Sequence, residues 1–411
     1  MHRRIRYGRL WLAAAGLFLA APAAQAVPSF ARQTNMACSA CHQSGTFPEL
    51  NSFGRRFKLG GYSMFQIKDI EAGPDSGGKQ LSLIDIPLIS AMVQASATHT
   101  RKAQSGVQNN STAFPQQLSL FLAGRITPHV GTFIQATKGG GDSSFEFDLG
   151  DVRFADDTSV GGQDLLYGVT LNNAPTLEDP WNSTPVWSFP WASSEQAPGA
   201  AASTLLDGDA LGEVAGLGAY GMLNNHWYAD VSTYRSSGTS DASSQNVIKN
   251  AAPYWRLAYD RSFGGTDVMV GTFGMNADLY PAGITGPTDS YRDLAVDTQI
   301  EQPVGAGALT FHGAYIDERR EPAAGDSVTY RHLRADGTYH TGAHIRATVG
   351  YSTLDTGGDH LDTSDWVAQL GYFPWQNVDL SLQYKAYTEF DGDTRDASDN
   401  DTTYVMAWLA F

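Results

Sequence analysis

Cysteine is nearly missing from this 411-residue chain, which has only Cys38 and Cys41. With two residues between them and no other thiol to pair with, they cannot form the disulfide framework of an exported domain. No run of 18 apolar residues follows residue 26, which excludes a bundle of membrane-spanning helices. Basic side chains are also scarce: 27 Lys and Arg stand against 43 Asp and Glu, a formal charge of −16. Nucleic acid is therefore not an expected partner.

The first 26 residues do not share that acidity. Arg3, Arg4, Arg6 and Arg9 precede an apolar stretch from Leu10 to Ala20, and Ala24-Gln25-Ala26 offers a small-residue cleavage site. This is the pattern of a secretory signal, and the apolar stretch is too short for a membrane anchor.

The two cysteines fall in Cys38-Ser39-Ala40-Cys41-His42, the C-x-x-C-H spacing of covalent c-type haem attachment. Two thiols at this separation add to the two vinyl groups on one porphyrin edge, and the next residue brings its imidazole to the iron. Cys38 and Cys41 are thus expected to anchor one haem c, with His42 as axial ligand of its iron. A thioredoxin-like dithiol would need a βαβ context, and a zinc site would need further ligands. Export agrees with haem, because c-type attachment takes place outside the cytoplasm.

Thr46-Phe47-Pro48-Glu49 has the form of a helix capping box, and Leu50, Phe53 and Phe57 recur at helical spacing before Gly60-Gly61 ends the pattern. One apolar stripe results, suited to a porphyrin face. Arg55, Arg56 and Lys58 lie on the other side, as partners for haem propionates or as a solvated face. Met64 is the first candidate for the sixth iron ligand; Met36, His99 and water are the others.

Period-two alternation governs the rest. Val378, Leu380, Leu382, Tyr384 and Ala386 alternate with Asp379, Ser381, Gln383 and Lys385, and Ala343 to Tyr351 repeat the pattern. Sixteen candidate strands run from 82–98 to 402–411, with weak alternation at 144–154 and 328–338. Connections after even-numbered strands are tight, as at Leu223-Asn224-Asn225 and Phe263-Gly264-Gly265, while those after odd-numbered strands are long, above all the stretch between 171 and 211. An even count and this asymmetry predict an all-β fold, a transmembrane antiparallel β-barrel of the outer-membrane type. Trp227, Tyr228, Trp255, Trp366, Tyr372 and Trp375 suit interfacial girdles, and the chain stops on Phe411. The expected organisation is a signal peptide over 1–26, a monohaem segment over 27–70, a linker over 71–80 and a barrel over 81–411.

Pro28 to Tyr62, "PSFARQTNMACSACHQSGTFPELNSFGRRFKLGGY", resembles the amino-terminal segment of the fused monohaem cytochrome–porins, outer-membrane proteins of iron-oxidising bacteria and their relatives. Phe30-Ala31-Arg32-Gln33-Thr34, the C-x-x-C-H, Phe47-Pro48, Phe53-Gly54-Arg55 and Gly61-Tyr62 carry the likeness. The resemblance implies electron transfer from extracellular ferrous iron, or another donor, through one haem to a periplasmic carrier such as a soluble cytochrome.

A haem hanging below the membrane would be cut off from external donors by about 30 Å of hydrocarbon. The helical haem segment, too small to enclose a porphyrin alone, is therefore expected to plug the barrel lumen. Inward-facing Arg125, Arg256, Arg346 and Lys385 would meet the plug or the propionates. Acids on the predicted outer loops, among them Glu178, Asp179, Asp207, Asp209, Asp317, Glu318, Asp355, Asp359, Asp362, Asp391, Asp393, Asp396, Asp399 and Asp401, would concentrate ferrous iron. The competing readings are a diffusion porin whose haem is structural or gates the channel, and a soluble exported β-sandwich.

Overall fold

The computed structural model describes residues 27–63, 69–71, 81–104, 109–142, 144–194, 197–208, 211–237, 246–281 and 284–411. The leader, Met64, Asp209 and most of the linker lie outside the described residues. Sixteen strands form one antiparallel sheet. They are β1 (Ile89–Thr100), β2 (Ser111–Thr127), β3 (Val130–Gly139), β4 (Glu146–Val160), β5 (Gln163–Asn172), β6 (Val214–Leu223), β7 (Trp227–Ser236) and β8 (Ala252–Phe263). β9 (Thr266–Tyr280), β10 (Asp289–Val304), β11 (Gly307–Glu321), β12 (Val328–Thr341), β13 (Ile345–Asp355), β14 (Thr363–Trp375), β15 (Val378–Glu389) and β16 (Thr402–Ala410) complete it. β1 pairs with both β2 and β16, from Met92↔Ala410 to Thr100↔Thr402, so the sheet is a closed barrel and not a sandwich. The two-residue piece Val247–Ile248 only extends the edge of β9.

Side chains are sorted in the opposite sense to a water-soluble protein. Val231 on β7 is 67% exposed, whereas its neighbours Asp230 and Ser232 are 1% and 3% exposed. Val296 against Asp297 on β10, and Leu382 against Gln383 on β15, repeat this. A sheet whose outer face is apolar and whose inner face is polar is built for hydrocarbon outside, and closure leaves no strand edge unpaired there. Trp227, Trp366, Tyr372 and Trp375 stand on the outer face as expected of girdle residues, but Tyr228 does not. Its phenol points inward and donates to the Glu178 carbonyl at 2.9 Å, because the period of two puts it opposite Trp227.

β1 starts at Ile89 and not at residue 82, because Pro87 lacks the amide that a ladder needs. Tight turns join β2–β3, β6–β7, β8–β9 and β14–β15 at one end, and the long connections gather at the other. The longest, residues 173–213 between β5 and β6, turns into the lumen, where Leu177, Trp181 and Leu205 are buried.

The amino-terminal segment lies inside the same wall. Its helices are α1 (Pro28–Thr34) and α2 (Ser52–Leu59). Ser29 Oγ and Gln33 Nε2 donate to the Ala123 carbonyl of β2 at 2.8 and 2.9 Å, and Gln33 Oε1 accepts from the Arg125 amide at 3.1 Å. Tyr62 donates to Asp151 of β4 at 2.7 Å. Thr46 bonds His340 of β12 at 2.8 Å, Arg55 pairs with Glu301 of β10, and Arg346 of β13 donates to the Phe47 carbonyl. Phe47 also packs edge-on against Phe373 of β14 and Trp408 of β16, so the contacts run around the circumference.

α2 begins later than the sequence pattern predicts. Asn51 is its cap, accepting from the Gly54 amide at 2.9 Å, while Thr46 and Glu49 turn to the barrel wall, Glu49 lying 3.1 Å from His340. Tertiary partners outcompete the local capping box.

Placing an arginine at Val296, halfway along β10 on the lipid face, is expected to cost about 2–4 kcal/mol, as for a charge at a bilayer midplane. Reversible refolding of Val296→Arg into lipid vesicles measures this. A cost near zero would mean that the outer surface does not face hydrocarbon.

Candidate functional site

Cys38–Ala40 form one turn of 3₁₀ helix, closed by the Cys41 and His42 amides donating to the Cys38 carbonyl at 3.1 and 2.9 Å. The turn therefore presents both thiols and the imidazole from one short loop. α2 fastens it: the Asn51 side chain donates to the Ala40 and His42 carbonyls at 3.1 and 3.4 Å. A Cβ at Gly54 would collide with the Cys41 carbonyl, so glycine lets the helix lie directly on the loop. On the short-turn side, the Ser39 amide donates to Gln376 at 3.2 Å.

His42 is buried, and its Nδ1 is shared between the Pro48 and Glu49 carbonyls at 3.2 and 3.3 Å. That fixes the tautomer with the proton on Nδ1, and Nε2, with no hydrogen-bond partner among the described residues, keeps its lone pair free. Burial lowers the imidazole pKa to about 4 against the pull of those carbonyls, so the ring is a neutral donor at pH 7. Both thiols are half-buried and unpaired. Burial, and then the neighbouring Cys38, push Cys41 up to about 11. A redox dithiol needs a lowered thiol pKa, so this pair is not built as one.

Thiols and imidazole line one cleft. Its walls come from four places: Val27, Phe30 and Ala31 at α1; Leu50, Gly54, Phe57 and Lys58 along α2; Phe133 of β3; and Asp179, Asn182 and Trp187 of the inner loop. Phe30 stacks on Tyr62 at 5.3 Å and meets Phe57 edge-on at 5.1 Å, fixing one apolar wall. The arrangement can hold a flat, mostly apolar ligand, tether it twice and offer one nitrogen to its face.

Of the predicted site residues, Cys38, Cys41 and His42 come together. Met36 also lines the cleft, whereas His99 stands on β1 bonded to Asn110 at 2.6 Å and takes no part in it. The solvated-face alternative for α2 holds for the exposed Arg56 and is corrected for Arg55 and Lys58, which are buried. Arg55 is buried against Glu301 and Asp260, and Arg56 donates to Asn225 at 2.7 Å. Only Lys58 reaches the cleft; its Nζ donates to the Leu177 and Asp179 carbonyls at 2.5 and 2.7 Å and sits 4.4 Å from the centre of the Trp187 ring. Burial, followed by the Arg153 charge, lowers its pKa to about 7.

The inward cations are all engaged. Arg125 forks onto Asp69 at 3.0 and 3.2 Å, and Arg346 holds Asp379 at 2.9 Å as well as the segment at Phe47. Arg256 binds Asp179 and Asp297 at 3.1 and 2.7 Å, and Lys385 lies 3.4 Å from Asp365.

The outer acid cluster is also corrected. Glu178 and Asp179 are buried in the lumen, Glu178 against Arg153 at 3.1 Å and Asp179 against Arg256 and the Trp181, Ser183 and Thr184 amides. Glu318 caps the buried Leu205 amide, and Asp207 pairs with His332 and Arg334 at 2.9 and 2.6 Å. The loop that carries Glu178, Asp179 and Asp207 folds inward, so these carboxylates anchor it. Asp355, Asp359, Asp393 and Asp396 remain exposed.

Beyond the inner loop lies a wider vestibule, lined by Ser183, Val186, Phe189, His312, Asp336 and Lys385 among others. Asn182 faces both spaces, so a single layer of loop separates cleft from vestibule. Sequence reasoning missed Asn182 and Trp187, which lie far along the chain and carry no local signal; Gly54, part of the likeness at Phe53-Gly54-Arg55, is a glycine inside a helical pattern whose packing role the sequence did not show.

Because the unfolded chain protonates His42 near 6.5 and the folded chain near 4, the unfolded state binds more protons between these values. The stability that the neutral ring contributes is complete above 6.5 and is lost as pH falls toward 4. In the haem-free Cys38→Ser/Cys41→Ser chain, where the ring is free to titrate, amide exchange in residues 38–51 is expected to speed up on the order of 10-fold or more from pH 7 to 4.5 after intrinsic correction. A flat profile would contradict this burial, and His42→Asn supplies the flat control.

No protein-family model matches the chain, and no curated protein matches it in sequence. Solved structures do match its fold. The anion-selective porin from Comamonas acidovorans is 12% identical with a TM-score of 0.50, covering 79% of this chain and 98% of its own. The outer membrane channel DcaP of Acinetobacter baumannii is 14% identical with a TM-score of 0.51, covering 79% and 96%. Closed sixteen-strand architecture, lipid-type exterior and these likenesses together give the chain the fold of an outer-membrane porin.

Proposed function

We propose that this porin-fold barrel carries one c-type haem in its lumen, in the manner of a fused cytochrome–porin, and passes electrons between its two mouths. The observation that carries the reading is the cleft itself: two unpaired thiols and a neutral imidazole with a free Nε2 open into one mostly apolar space. Cys38 and Cys41 would hold the porphyrin edge and His42 its iron. Bound there, haem supplies a one-electron carrier alternating between ferric and ferrous iron.

The chain's own residues do the rest. The Pro48 and Glu49 carbonyls orient His42, and Phe30, Leu50, Phe57 and Phe133 exclude water from the faces of the ligand. The half-buried cysteines lie by the short-turn mouth, toward a periplasmic carrier, and the inner loop faces the vestibule and an external donor. Ferrous iron is the donor that the sequence resemblance suggests, and Asp355, Asp359, Asp393 and Asp396 are the exposed carboxylates left to attract it.

A second reading is a diffusion porin whose haem is structural or gates the pore. The likeness to porins and the wide vestibule favour this reading over the conduit, whereas the filled lumen favours the conduit. Proteoliposomes with a trapped one-electron acceptor and external ferrous iron separate them. The conduit predicts acceptor reduction, cut at least ~10-fold in His42→Ala, with little ion conductance. Full haem loading with no reduction and ohmic, porin-like conductance would replace the conduit with the diffusion porin.

A further inference from the structure

Lys58 is buried in the cleft wall, its two hydrogen bonds go to backbone carbonyls of the inner loop, and no ion pair among the described residues includes it. The nearby Asp179 carboxylate is already taken by Arg256 and three backbone amides of its own loop. The Asp151 and Glu178 carboxylates also lie near, but both are bonded to Arg153. A buried cation whose neighbouring acids are all taken by arginines is under-compensated, and an ammonium has three donors of which two are used. The missing partner is an anionic group brought by whatever fills the cleft.

Geometry names that group. The amino-terminal end of α2 abuts the attachment loop through Asn51. Lys58 lies seven residues further on, about 10 Å along the helix axis. On a porphyrin the carboxylate-bearing propionates leave from the edge opposite the vinyl groups. A ring tethered at Cys38 and Cys41 with that edge turned into the lumen brings a propionate toward Lys58, Asn182 and Trp187.

We propose that Lys58 is the propionate anchor of the haem and, through the Leu177 and Asp179 carbonyls that it also holds, the latch by which haem loading keeps the inner loop closed across the lumen. This rests on the haem reading above. One ammonium then serves both spaces: its third N–H meets the ligand, and its other two hold the layer of loop that divides cleft from vestibule. The two readings of function become two states of one device, a sealed conduit with haem and a leakier pore without it.

The test compares wild type, Lys58→Met and Lys58→Arg, each purified with covalent haem. Lys58→Met is expected to lower the haem midpoint potential, since a cation that favours the ferrous state is lost. It is also expected to raise the open probability, and with it the time-averaged conductance, in single-channel recording at least ~10-fold, the population shift that loss of a charge-assisted hydrogen bond produces. Lys58→Arg restores both. A second measurement does not depend on that variant assembling. Amides of residues 177–187 should exchange at least ~10-fold faster in haem-free Cys38→Ser/Cys41→Ser than in wild type. Unchanged potential and conductance in haem-loaded Lys58→Met, or equal exchange with and without haem, overturns the latch and leaves the haem reading standing. Wild type without covalent haem overturns the reading beneath it.

Discussion

The cleft around Cys38, Cys41 and His42 exists because three stretches of chain, remote in sequence, meet inside one closed sheet. Residues 27–63 supply the thiols, the imidazole and one apolar wall; β3 adds Phe133; the inner loop adds Asp179, Asn182 and Trp187. A segment of fewer than 40 residues cannot bury enough surface to fold around a large ligand unaided. The barrel makes up the deficit, and it can do so because lipid outside forces polar side chains to the inside. The segment and the loop are then held by buried partners such as Asp151, His340, Arg346 and Arg256.

This explains what was legible in the sequence. Strand alternation and turn rhythm are local properties, and together they place all sixteen strands, including β4 and β12 where alternation is weak; in β12, His332, Arg334, Asp336, Thr338 and His340 make an inner face too polar to read as an ordinary core strand. The C-x-x-C-H spacing is local too. Partners across the lumen are not: nothing near Lys58 in sequence announces Leu177 or Trp187, and nothing near Glu178 shows that its loop turns inward. The capping box at Thr46 failed for the same reason, since His340 lies nearly three hundred residues away.

The residues that carry the family resemblance turn out to be docking residues. Phe30 and Tyr62 stack on each other, Gln33 enters β2 beside Gly124, Phe47 meets Phe373 and Trp408, and Gly61 rests against Gly131. These contacts space the pattern to the barrel wall. The proposed haem would complete this packing at the centre.

The central claim, that the cleft holds one covalently bound haem, is tested most directly by the intact mass of the mature chain purified from outer membranes of a host able to mature c-type cytochromes. The account predicts the polypeptide plus one iron porphyrin, with neither cysteine open to alkylation after denaturation. A mass equal to the bare polypeptide, with both thiols alkylated or joined to each other, would contradict it.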